Sequence, residues 1–90
     1  MSTTPVLAIS LPAYWESEYD SAGNVVLCAR DASGYAHGFV TVDESRRVFA
    51  LGMCRPYGWA NAPAPDFQGR GWRARLYTGA VQMLQEAVAL

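Results

Sequence analysis

Three short turn sequences divide the middle of this 90-residue chain, and they constrain its fold more than any other feature. Each begins with an aspartate and two of them end in glycine, which are residues that favour tight reversals of the chain. Loops this short join antiparallel neighbours, so the sequence predicts a β-meander. The turns are Asp20–Gly23, Asp31–Gly34 and Asp43–Arg46, and the strands around them are Tyr14–Tyr19, Asn24–Arg30, His37–Val42 and Arg47–Met53.

The last segment predicts an amphipathic helix. At 100° per residue, apolar side chains between Trp72 and Val88 collect on one broad face, whereas Arg75, Gln82 and Glu86 lie on the other. Such a helix is stable when its apolar face packs on a sheet. We therefore expect an α+β fold, in which one C-terminal helix covers an antiparallel meander of three to five strands.

The length and the 51% hydrophobic content are those of one domain. No stretch reaches the roughly 18 apolar residues of a membrane span, and the first ten residues lack the basic start of a secretion signal, so we expect a cytoplasmic protein. The expected divisions are an N-terminal segment or edge strand over 1–12 (Val6–Leu11), the meander over 13–53, a proline-rich crossover over 54–68 and the helix over 69–90.

The predicted strands are apolar on both faces. Val25, Leu27 and Ala29 alternate with Val26 and Cys28, which are also apolar. Because one helix covers one face, the other must be closed by the N-terminal segment, by the crossover or by another subunit. This pattern predicts a homodimer or a protein partner.

The start of the helix carries an unusual concentration of arginine. The first turn of a helix has a partial positive charge and unpaired N–H groups, so cations there call for an anion or an acidic surface nearby. Arg73 also falls on the apolar face, where it extends past the helix end into water, pairs with an acid such as Glu16, Glu18 or Asp43, or lines a site. The candidate ligand or anion-binding residues are Gln68, Gly69, Arg70, Gly71, Arg73 and Arg75, and Tyr57 and Trp59 are candidates for stacking on a ligand ring.

Charge is unevenly divided along the chain. Residues 1–45 hold six acidic side chains and one arginine, whereas residues 46–90 hold six arginines and two acidic side chains. This asymmetry indicates either a basic face for a polyanion or two halves that attract each other, within one fold or between two copies.

Two families resemble parts of this chain. The run Gln68–Arg73 after a set of strands looks like the pyrophosphate loop of acyl-CoA N-acetyltransferases, with Gln68 and Gly71 at matching positions, and Gly38-Phe39-Val40 is similar to that family's central strand. This resemblance implies a degenerate acyl-CoA-binding fragment. A meander followed by a helix with a basic start also resembles the double-stranded RNA-binding domain, which implies phosphate contacts by Arg70, Arg73 and Arg75.

The chain as a whole is similar to small uncharacterised proteins of phages and prophages, a resemblance that implies no activity. Cys28 and Cys54 are too far apart for a paired metal motif, and His37 is the only histidine, so we predict no catalytic residue, metal or cofactor. The expected function is a non-enzymatic binding module that acts through protein–protein contacts. The alternatives are nucleic-acid binding and acyl-CoA binding at the start of the helix.

Overall fold

The computed structural model describes residues 4–52 and 68–88, which form a four-stranded antiparallel sheet and one helix. The prediction of a meander packed by a C-terminal helix is confirmed. No helix within these two ranges is long and apolar enough to span a membrane. The strands are β1 (Glu16–Tyr19), β2 (Val25–Arg30), β3 (Ala36–Asp43) and β4 (Val48–Gly52), in the order β1-β2-β3-β4, and the helix is α1 (Trp72–Val88).

The first two turns form as their residues predict. Asp20 accepts hydrogen bonds through Oδ1 from the backbone N–H groups of Ala22 and Asn24, both at 2.9 Å. Asp31 does the same for Ser33 and Tyr35 in the second turn. Gly23 and Gly34 close these turns at φ values of 86° and 88°, a conformation that side chains disfavour. The aspartate and the glycine therefore determine where each strand ends.

The third turn lies one residue later than predicted. The backbone N–H of Arg47 donates to the carbonyl of Glu44 at 3.2 Å, so the turn spans 44–47, β3 extends through Asp43, and β4 begins at Val48. Arg47 takes the left-handed position that glycine takes in the other turns, with φ of 56°. That conformation costs a non-glycine residue roughly 1–2 kcal/mol, and contacts described below hold Arg47 there.

The N-terminal segment contributes apolar side chains rather than a strand. Residues 6–11 have no strand conformation, so the edge-strand alternative is wrong. Leu7, Ile9 and Leu11 instead pack, partly buried, against the core between the sheet and α1. This segment therefore lies on the face of the sheet that the helix also covers. The crossover residues 54–67, with Cys54, Tyr57 and Trp59, and the predicted last strand residue Met53 lie outside the described residues.

The core lies between one face of the sheet and the helix. Cross-strand pairs Leu27–Val40 and Val42–Phe49 place their side chains on the same face. The fully buried side chains on the sheet and the helix together exclude water from this layer. They include Leu27, Val40, Val42, Leu76, Tyr77 and Leu84.

Gly38 allows the end of the helix to approach the sheet. It lies on β3 where a Cβ atom would come within 3.1 Å of Val88 Cγ1 and 3.3 Å of Leu84 Cδ1. Distances this short are tighter than ordinary packing, so the last turns of α1 lie directly on the glycine backbone. A side chain at this position would push the helix away from β3.

Gly38→Val is therefore expected to lower the free energy of unfolding by about 1–3 kcal/mol, because added methyl groups overpack this contact. The matched control is Ala36→Val, since Ala36 is exposed on the same strand and its substitution should change stability by less than about 0.5 kcal/mol. Urea unfolding followed by circular dichroism measures both. Equal stabilities for the two variants would contradict close packing of α1 on Gly38.

Candidate functional site

The helix begins after a loop whose two glycines adopt a left-handed conformation that side chains disfavour. Gly69 and Gly71 have φ values of 73° and 78°, and the carbonyl of Gly71 accepts the N–H of Arg75 at 3.2 Å as the first bond of α1. We call residues 68–75 the helix mouth. Because Gly71 has no side chain to cap the free N–H groups of the first turn, the chain must position other polar groups here.

Arg75 closes the helix mouth from within. Its Nη1 donates to the carbonyl of Arg70 at 2.9 Å, and its Nη2 donates to the carbonyl of Gln68 at 2.6 Å. A Cβ atom at Gly71 would lie 3.1 Å from the same Nη1, so the guanidinium passes directly over that glycine. Arg75 thus folds back along its own helix and holds the preceding loop. These donors are directed at the backbone of the loop.

Arg73 reaches the end of the sheet and pairs with an acid there. Its Nε lies 2.7 Å from Glu44 Oε1, and its side chain is 55% exposed. The partner is in the turn between β3 and β4 and is none of the three acids proposed from the sequence. Glu44 is the first residue of that turn and follows Asp43, the last residue of β3. Arg73 therefore joins the arginine-rich and acidic halves of the chain.

Glu44 also accepts a hydrogen bond from a buried tyrosine. The hydroxyl of Tyr77 donates to Glu44 Oε2 at 2.5 Å, and Tyr77 has no exposed surface. Burial raises the pKa of Tyr77 far above its usual value, and the hydrogen bond and negative charge of Glu44 raise it further. The two oxygens of one carboxylate thus join the turn to two successive turns of α1.

Arg47 connects the same turn to the first residue of the helix. Its guanidinium carbon lies 4.2 Å from the centre of the Trp72 ring, and that of Arg73 lies 5.2 Å from the same centre. Its Nη1 is also 3.5 Å from Gln68 Oε1. Cation–π contacts of this kind contribute about 0.5–1 kcal/mol at exposed sites. They offset part of the cost of the left-handed conformation of Arg47, whose side chain lies over the indole.

The structure gathers the six predicted residues of the helix mouth in one place. Gln68, Gly69 and Arg70 are exposed, whereas Arg73 and Arg75 make the internal contacts above. A cleft of about 420 Å³ opens nearby between the β1–β2 and β3–β4 turns, but its walls come from residues 19, 22–25 and 42–45. No residue of the helix mouth lines it.

Sequence reasoning missed Glu44, Arg47 and Tyr77 as members of this cluster. Glu44 lies 29 residues from Arg73 and 33 from Tyr77, so no local spacing relates them. The helical periodicity places Tyr77 on the apolar face, which is where it lies. The one available signal was its hydroxyl, because a tyrosine buried on a helix face needs a hydrogen-bond partner at the boundary of the core.

The side of the sheet away from α1 carries a second group of residues, which we call the second sheet face. Phe39 is 39% exposed there, and its cross-strand neighbour Cys28 is half-buried with a free thiol. Val48 and Ala50 on the same face are buried within the chain. The described side chains of this face are thus buried on β4 and partly or fully exposed from β1 to β3. Its residues are Glu16, Glu18, Val26, Cys28, Phe39, Thr41, Val48 and Ala50.

The single histidine lies near the start of β3, beside the β2–β3 turn. Ala29 pairs with Gly38 and Arg30 with Ala36, so His37 is the extra residue of a β-bulge. Its Nε2 lies 2.8 Å from Asp31 Oδ2, and Asp31 also accepts the Ser33 hydroxyl at 2.6 Å. The bonds from Ser33 and His37 hold the pKa of Asp31 well below its usual value. This pair stabilises the turn.

No group of three or more histidine, cysteine, aspartate or glutamate side chains with metal-binding geometry occurs in residues 4–52 and 68–88. Comparisons with protein-family models, curated proteins and solved structures found no match to this chain. The function must therefore be argued from the geometry of the helix mouth and of the second sheet face.

The bond between Tyr77 and Glu44 predicts a loss of stability at alkaline pH. The unfolded chain releases the tyrosine proton near the ordinary tyrosine pKa of about 10, whereas the folded protein retains it because the pKa of Tyr77 is raised. The stabilising contribution is therefore complete below about pH 10 and declines above it, by up to about 1.4 kcal/mol per pH unit for one proton. Urea unfolding from about pH 8 to about pH 11 measures this decline.

Tyr77→Phe should remove much of that decline and lower stability near neutral pH by about 1 kcal/mol, because one hydrogen bond is lost. Tyr35→Phe is the control, since Tyr35 is exposed in the β2–β3 turn. That variant should retain the decline. The assignment is wrong if the Tyr77→Phe protein loses stability above about pH 10 as steeply as the unmodified chain.

Arg73→Met tests whether Arg73 has a structural role. Because Arg73 is more than half exposed and Glu44 keeps its bond to Tyr77, the substitution should cost no more than about 1 kcal/mol. Arg70→Met serves as the control at an exposed position of the helix mouth and should be neutral. A loss of about 3 kcal/mol in chemical denaturation would instead mean that Glu44 is left as an unpaired buried charge.

Proposed function

We propose that this protein is a small non-enzymatic binding module that associates with a second copy of itself through the second sheet face. The observation that carries the proposal is the exposure of Phe39. Phe39 lies on β3, an inner strand of the sheet, where a phenylalanine would normally be covered, and Val26 and Cys28 on the neighbouring strand are only half-buried. Burying these three side chains against another surface removes apolar area from water.

The distribution of polar groups supports this choice of surface. Glu16 and Glu18 border the apolar centre on the β1 side, with Arg30 Nε 3.3 Å from Glu16 Oε2. An apolar centre with a polar rim is typical of protein–protein interfaces. The chain also has a net charge of −1, so two copies repel each other weakly.

A second copy is the simplest partner for such a face. A two-fold axis brings the same patch of both subunits together, so one self-complementary surface suffices. Phe39 and its neighbour Cys28 in each copy would then be covered by the other copy. The Cys28 thiol should consequently react more slowly with a thiol reagent in the dimer than in the monomer.

Nucleic-acid and acyl-CoA binding remain alternatives at the helix mouth. Both require free cationic donors, and the guanidinium groups of Arg73 and Arg75 already contact Glu44 and the loop carbonyls. Binding of duplex nucleic acid would fall steeply with salt, and CoA would raise the melting temperature by mass action. Titration of each at low salt separates these activities from self-association.

Phe39→Glu should convert the dimer into a monomer, because assembly would bury an unpaired charge. Val6→Glu is the matched control, since Val6 is 95% exposed and does not belong to the second sheet face. Size-exclusion chromatography with light scattering measures the oligomeric state of both variants and of the unmodified protein. If the unmodified protein is a monomer at high micromolar concentration, the proposal is contradicted. A dimer that survives in Phe39→Glu would place the interface elsewhere.

A further inference from the structure

Among the residues that the structure describes, no strand pairs with the outer edge of β1. Asp20 donates its backbone N–H to Asn24, and β1 pairs with β2 in continuous register from Glu16 to Tyr19. Bonding positions alternate along an antiparallel strand, so Glu16 and Glu18 bond toward β2, whereas the N–H and C=O groups of Ser17 and Tyr19 point outward. No backbone bond from elsewhere in residues 4–52 and 68–88 reaches these outward groups.

Exposed tyrosines stand at both ends of this edge. Tyr14 is 63% exposed and has φ of 71°, a strained conformation for an aromatic residue, and Tyr19 is 50% exposed. Tyrosine is enriched in protein interfaces because it offers a large rigid surface and a hydroxyl. The edge therefore combines outward backbone groups with two exposed aromatic side chains.

The charge of the edge selects its partner. Glu16 and Glu18 both project onto the second sheet face, and Glu18 has no ion pair or side-chain hydrogen bond among the described residues. Residues opposite them on an added strand would be non-hydrogen-bonded pairs, whose side chains approach most closely. A basic residue opposite Glu18 would form a cross-strand ion pair, and a second one would lie near Glu16.

The same charges oppose pairing of two β1 strands. Antiparallel pairing keeps opposite residues on one face, so a second β1 would place Glu16 opposite Glu18 or Glu18 opposite Glu18. Like charges directly opposite each other destabilise a sheet. These repulsions disfavour a second copy at this edge, although a second copy is the proposed partner at the second sheet face.

We propose that the β1 edge binds an extended segment of another protein, added as a fifth strand, with lysine or arginine at alternate positions facing Glu16 and Glu18. Main-chain bonds to Ser17 and Tyr19 supply affinity, and the alternating basic residues supply specificity. The surface differs from the one proposed for self-association, although both belong to a protein-binding role. Either interaction can fail without the other.

The probe is a short synthetic peptide of alternating lysine and valine, titrated at low salt into the isotopically labelled protein and followed by nuclear magnetic resonance. We expect shifts and slowed hydrogen exchange at the amides of Ser17 and Tyr19. A peptide with glutamate in place of lysine should not bind, nor should one N-methylated on the amides that face β1. Absence of binding at millimolar peptide, or shifts centred on Phe39, would overturn the proposal.

Two pairs of variants test the backbone and charge contributions separately. Ser17→Pro removes an outward N–H that the sheet does not use, so the fold is retained and binding is lost, whereas Ser17→Ala binds normally. Glu18→Lys should weaken binding about tenfold, since an attraction becomes a repulsion. Glu86→Lys makes the same charge change on an exposed helix position and should have little effect.

Should Ser17→Pro fail to fold, Glu18→Lys and the N-methylated peptide still decide the question. Equal binding by Glu18→Lys and Glu86→Lys would overturn the proposed charge recognition. The titration is repeated with Phe39→Glu, which lacks the proposed dimer surface. If Phe39→Glu still binds the peptide, the β1 edge binds it independently of self-association. If Phe39→Glu loses binding while Ser17→Pro retains it, the proposal for the β1 edge is overturned.

Discussion

The arrangement of helix and sheet depends most on the two hydrogen bonds that the Glu44 carboxylate accepts from α1. This carboxylate accepts the buried hydroxyl of Tyr77 and the guanidinium of Arg73, and so joins the β3–β4 turn to the first two turns of α1. Apolar packing is not directional and leaves the helix free to slide along the sheet. Two polar bonds at one end, with the contact of α1 on Gly38 at the other, determine the position of the helix.

Most of the fold follows from local chemistry that the sequence displays. Asp20 and Gly23 specify a turn because the carboxylate and the left-handed glycine act within four residues of each other. The helix is equally evident from its apolar periodicity. The third turn differs from its prediction by one residue because Arg47 occupies the position that glycine marks elsewhere, and its conformation depends on Trp72, which is distant in sequence.

The candidate site could be predicted only in part. Glycines and arginines around residue 70 indicated a special helix start, and the structure brings Gln68, Arg70 and Arg75 together there. Their contacts could not be predicted, because an arginine that holds its own loop and one that binds a phosphate have the same local sequence. Only the position of Glu44 and of the loop carbonyls separates the two roles.

The uneven distribution of charge along the chain has different effects at the two ends of the sheet. Arg73 and Glu44 attract across the two halves and so help to close the fold. Glu16 and Glu18 lie at the opposite edge of the sheet, where, among the described residues, only Arg30 lies close enough to neutralise one of them. The acidic surplus that remains on β1 opposes pairing of this edge with a second β1. The same surplus favours pairing of this edge with a basic strand. The uneven charge along the chain thus stabilises the fold at the Arg73–Glu44 pair and gives the β1 edge its selectivity for a basic partner.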